Sequence, residues 1–129
     1  MKTKFFLMLL TLCGGIVMAQ AQGGGFPRRT VEERAKAAMD KLADFKLDKE
    51  KADQTDSVFT QFYRAADAKR QEMMAGGSPD RDKMREEMQK LNGERDEKLK
   101  KVFTADQFKK FKDEIEATLR PQRPPGGGQ

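Results

Sequence analysis

The chain has 129 residues, with 26 Lys and Arg against 21 Asp and Glu, no histidine and one cysteine. That length suits one domain rather than two, and the lack of His with a single Cys removes the commonest nucleophile–base pairs and the imidazole or thiolate metal sites. The net charge of +5 is no nucleic-acid signature either, because its excess sits at the two ends of the chain.

The N-terminal stretch reads as an export segment. Lys2 and Lys4 precede an apolar run from Phe5 to Leu12, which continues more weakly through Met18 to the small-x-small pattern Ala19-Gln20-Ala21. A basic start, a short apolar run and a small-residue site make a secretory signal peptide. A membrane anchor would need about 20 predominantly apolar residues, and Thr11, Cys13, Gly14 and Gly15 interrupt this run. Lipidation of Cys13 would call for a small residue before it, where Leu12 stands. Residues 1–21 are therefore expected to be removed, with cleavage after Ala19 as the alternative, leaving no stable membrane anchor and a periplasmic location. The sole cysteine leaves with the segment, so packing alone must hold the mature protein together.

Residues 22–29 form a Gly- and Pro-containing leader, and 120–129 a Pro/Gly-rich tail, both too poor in apolar side chains to offset their ordering entropy. Lys2, Lys4, Arg28, Arg29, Arg120 and Arg123 lie outside the segment 30–119, which holds 20 basic and 21 acidic residues. Nucleic-acid binding needs a one-signed face, and this nearly neutral segment is predicted to bind none.

Apolar residues of the segment 30–119 recur at three- and four-residue steps, which predicts an all-α domain of four helices. Thr30 and Glu33 form a capping box opening the first helix, whose stripe is Val31, Ala35, Ala38/Met39, Leu42 and Phe45. Asp48 caps the second, with Ala52, Thr55, Val58/Phe59, Phe62/Tyr63, Ala66 and Met73 on one face. Carried to Ala75, it would be roughly 40 Å long. Gly76-Gly77-Ser78-Pro79 is a turn, with Ser78 predicted as the next N-cap and Pro79 in the first helical position. The third helix carries Met84, Met88, Leu91, Arg95, Leu99 and Val102/Phe103, and Gly93 within it predicts a kink or a break, since glycine costs about 1 kcal/mol there. In the fourth, Thr104 and Gln107 make a second capping box, and Phe103 and Phe108 can staple it. Phe108, Phe111, Ile115 and Leu119 form its stripe, and Pro121 stops it. The outcome is a long helical hairpin flanked by two shorter helices.

Phe103-Thr104-Ala105-Asp106-Gln107, with the preceding Glu94-Arg95-Asp96-Glu97-Lys98-Leu99-Lys100-Lys101-Val102, resembles the second Leu-Thr-x-x-Gln motif of the Spy/CpxP family of periplasmic chaperones and envelope-stress regulators. Leu47-Asp48-Lys49-Glu50-Lys51 stands where the first copy belongs and keeps only its cap through Asp48. The resemblance covers roughly residues 30–119 and implies an antiparallel homodimer with a cradle-like surface. In chaperone members that surface holds partly unfolded envelope proteins without ATP; in regulatory members it meets a dedicated envelope partner. Helices of such unequal length independently predict an unfilled apolar stripe, a common mark of an interface.

No catalytic residue, cofactor or metal is assigned. Asp80, Asp82, Glu86 and Glu87 are the densest acidic group, and the dipole at a helix start already accounts for them. The thioethers of Met39, Met73, Met74, Met84 and Met88 are the ligands a metal-sensing alternative would use for monovalent copper, but they follow the helical stripe as packing residues would. Flexible, polarizable methionines also favour surfaces that accept varied partners. Core contact and client contact thus both remain open for Met73, Met74, Met84 and Met88. With Phe62, Tyr63, Leu91 and Arg95 they make the candidate client or partner surface. Phe59 is assigned to the core, and Arg95 to a rim or cross-helix ion pair.

Overall fold

The computed structural model describes residues 28–78 and 80–120. The export segment and its cleavage site, most of the leader, Pro79 and the tail beyond Arg120 lie outside the described residues. Every regular element described is helical: α1 (Val31–Lys41), a 3₁₀ turn (Ala43–Phe45), α2 (Lys49–Ala75), α3 (Arg81–Val102), α4 (Ala105–Lys110), a π-helical turn (Phe111–Ile115) and α5 (Glu116–Leu119). The last three follow one another without a break and make one rod, so the four expected helices are present. No helix among the described residues is long and apolar enough to cross a membrane.

Local chemistry explains most of the boundaries. Thr30 accepts from the Glu33 N–H while the Glu33 carboxylate accepts from the Thr30 N–H at 2.8 Å, so α1 starts on the expected box. Its exit uses Lys46, the one non-glycine residue with positive φ (48°) among those described, to turn the chain toward Asp48, which caps α2 through the Lys51 N–H. Thr104 and Gln107 form the second box.

One expected cap moves, and one alternative at Gly93 is removed. Ser78 is an exposed bend residue, and the N-cap of α3 is Asp80, whose Oδ1 accepts from the Asp82 and Lys83 N–H groups. A carboxylate there satisfies two orphan donors and adds a favourable charge at the positive end of the helix dipole. Of the two alternatives at Gly93, a kink or a break, the break is excluded, because α3 is continuous through Asn92-Gly93. Flanking residues with good helical propensity carry the hydrogen-bond ladder across a single glycine whose cost is about 1 kcal/mol.

The α2–α3 hairpin is the frame. Lys98 donates to Gln61 at 3.0 Å near its base, and Lys69 meets Glu87 at 3.8 Å nearer its turn. α1 packs on α2, tied by the Arg34–Asp67 ion pair, and the fourth rod crosses to α3 through Glu116 and Arg95. Gln107 does double duty: besides closing its box, it donates to the Phe45 carbonyl at 3.2 Å and joins α4 to the turn after α1. Between these elements lies one core, including Leu42, Phe45, Phe59, Leu99, Val102, Phe103, Phe111 and Ile115. Phe111 is wholly enclosed, with Phe59, Phe103 and Phe108 around it at centroid distances of 6.0–6.3 Å. Loss of such a ring costs about 3–5 kcal/mol. Thr55, a polar residue in this interior, is satisfied by donating to the Lys51 carbonyl at 2.7 Å.

Candidate functional site

The core stops short of the hairpin turn. Ala66 is the last buried residue of α2 and Arg95 the first of α3; between them no described residue is buried. The final nine residues of α2, 67–75, and the facing start of α3 therefore form a two-helix arm, about 14 Å long on the α2 side. Unequal helix lengths predict this overhang, because α1 and the fourth rod are too short to cover it.

The arm carries most of the candidate surface. Met74 is 57% exposed and is the one exposed large hydrophobic side chain among the described residues. Met73, Met84, Met88 and Leu91 are half-buried and stand outside the main core. Met84 and Met88, spaced i and i+4, share one helix face. Phe62 is half-buried against the core at the root of the arm, 5.2 Å from the Tyr63 ring.

Tyr63 and Arg95 do not belong to that surface. Tyr63 is 9% exposed, inside the core beside Phe59, with the Arg34 guanidinium 4.8 Å above its ring. Burial raises its phenol pKa, against the opposing pull of Arg34 and Arg95. Arg95 is 5% exposed. A cationic residue in an apolar stripe is turned inward here because two carboxylates and two aromatic rings meet it. Its guanidinium lies 5.0 Å from the Phe62 centroid and 5.2 Å from that of Phe111, an arrangement that suits a planar, weakly hydrated cation.

The charges close into a ring. Arg95 pairs with Asp96 and Glu116, and Lys112 pairs with the same two carboxylates, all four contacts spanning 2.5–2.8 Å. Asn92 adds an acceptor for Arg95 at 3.3 Å. Burial by itself would raise the Glu116 pKa, but hydrogen bonds from Lys112 and Arg95 and their charges outweigh it and hold the carboxyl below its ordinary value. For Lys112, burial pulls down and the bonds to Asp96 and Glu116 pull up harder, leaving it raised. The π-helical turn from Phe111 to Ile115 carries Lys112 into this ring while Phe111 and Ile115 stay buried. Asp96, Lys112 and Glu116 escape a sequence reading. Their only local signal is the i, i+4 spacing of Lys112 and Glu116, and nothing in one dimension ties that pair to Arg95.

Apart from Ser78, the other predicted residues sit at helix starts as expected. Thr30, Glu33, Asp48, Thr104 and Gln107 each make a helix-start hydrogen bond, and Phe103 and Phe108 both lie against Phe111. Among the described residues, no three His, Cys, Asp or Glu side chains gather as metal ligands would. No family model matches this chain, and comparison with curated proteins and with solved structures matches it to none of them.

Proposed function

We propose that this chain is a non-catalytic, exported protein-binding module, a chaperone-like protein of the periplasm that holds partly unfolded envelope proteins without ATP. The observation that carries this reading is the arm: an overhanging two-helix segment whose seam and outer face bear Met73, Met74, Met84, Met88 and Leu91. Thioether side chains have flexible, polarizable surfaces that adapt to many apolar partners, and the closed ion-pair ring at the arm's root holds α3 to the fourth rod beneath it. Two copies packed antiparallel would set two such arms side by side as a shallow cradle, in keeping with the Leu-Thr-x-x-Gln resemblance at Thr104–Gln107.

The test is suppression of aggregation. At stoichiometric amounts and without nucleotide, the protein should keep several unrelated unfolded proteins from scattering light, and Met74→Asp with Met88→Asp should weaken the effect. Failure with every client, together with tight capture of one envelope protein, would replace this function with that of a regulator serving a dedicated partner. Sedimentation of the mature chain tests the homodimer.

A further inference from the structure

We propose that the methionines of the arm are an oxidation site that switches the binding surface off, an inference that rests on the protein-binding role proposed above. Five methionines fall within the described residues, and four of them, Met73, Met74, Met84 and Met88, are on the arm. Met39 is the fifth and packs against the main core. The described residues include no cysteine and no histidine, and Tyr63 is enclosed. The accessible thioethers are therefore the softest nucleophiles the domain presents, and Met74, at 57% exposure, is the most open of them. Oxidation of this kind follows exposure and needs no activating neighbour.

The reactant is a peroxide, a two-electron oxidant. The thioether sulfur attacks one oxygen of hydrogen peroxide with a lone pair, an S–O bond forms as the O–O bond breaks, and the second oxygen leaves as water after taking the proton of the oxygen that stays on sulfur. Sulfur loses two electrons and the peroxide gains them. The product is a polar sulfoxide on a surface whose use depends on being apolar, and at a half-buried position its desolvation opposes packing. Beyond Asp67, which Arg34 ties to α1, no described residue of the arm is buried, so its helices open at lower cost than the base. Reduction by a dithiol through methionine sulfoxide reductases returns the thioether, with the sulfoxide oxygen leaving as water and the dithiol becoming a disulfide.

The experiment treats the full chain with hydrogen peroxide and follows each methionine by peptide mass spectrometry, alongside amide exchange and client light scattering. Met74 should oxidise first, Met73, Met84 and Met88 next, and Met39 several-fold later. Amide exchange in 69–75 and 84–91 should rise roughly tenfold with α1 and the core-facing part of α3 unchanged. Aggregation suppression should fall with sulfoxide content and return after reductase treatment. A variant carrying Met73→Leu, Met74→Leu, Met84→Leu and Met88→Leu should keep its suppression in peroxide. Oxidation of Met39 as fast as that of Met74 would overturn the proposal, as would unaltered arm exchange after full oxidation, or equal loss of suppression in the leucine variant. If the untreated protein protects no client, the protein-binding role falls, and the order of oxidation and the arm's exchange still decide whether the site exists.

Discussion

Arg95→Met removes the guanidinium from the closed ring and keeps an unbranched apolar chain between Phe62 and Phe111. The wild-type side chain is 4% exposed and donates to Asp96, Glu116 and Asn92, so the loss is one of buried, charge-assisted hydrogen bonds. Removing a single partner from a buried ion pair costs about 3–5 kcal/mol. Lys112 remains within 2.8 Å of both carboxylates, so neither is left alone, and the expected cost falls at the low end, about 3 kcal/mol. For a domain of this size that lowers Tm by about 12–24 °C. Arg95→Lys keeps the charge and loses the planar fork, so it should fall between the two, at about 1–2 kcal/mol. Urea unfolding followed by circular dichroism measures both, and a double-mutant cycle with Glu116→Gln should return a coupling of about 1–3 kcal/mol. A cost below about 1 kcal/mol for Arg95→Met, with additive behaviour in the cycle, would refute the view that the ring fastens the fourth rod to α3.

The pH dependence follows from the same ring: the Glu116 carboxyl is held below its ordinary value in the fold, so its stabilisation is complete above the unfolded value and is lost as pH falls through the lower folded one. Unfolding midpoints measured from pH 7 down to pH 3 should decline, and Glu116→Gln should flatten that decline. Gln107→Ala should cost more than Glu33→Ala in the same thermal assay, by about 1 kcal/mol, because only Gln107 also bonds the Phe45 carbonyl. Gly93→Ala should raise stability by up to about 1 kcal/mol, since a Cβ there meets nothing within 4 Å, whereas Gly77→Ala should lower it because Gly77 sits at φ +93°.

Local rules carry far in this chain because helices are local. A hydroxyl or carboxylate at the first position satisfies orphan N–H groups within three residues, which is why Thr30, Asp48 and Thr104 mark their helices correctly. Ser78 fails for an equally local reason: Asp80, two residues on, offers a charged acceptor that reaches two N–H groups. The π-helical turn at Phe111–Ile115 has no comparable signature. An i to i+5 bond is chosen there among alternatives close in energy, by what the side chains meet across the interface.

Helix content, helix number, the caps at Thr30, Asp48 and Thr104 and the apolar stripe were thus determined by the sequence alone, because each depends on contacts a few residues apart. The division of that stripe was a matter for the tertiary structure. Tyr63 and Phe111 joined Phe59 in the core, the methionines were left on an uncovered arm, and Arg95 turned inward. Those outcomes depend on where α1 and the fourth rod end along the hairpin, and on a carboxylate 21 residues from Arg95. Burial and charge pairing act through space, so residues with the same local pattern met opposite fates.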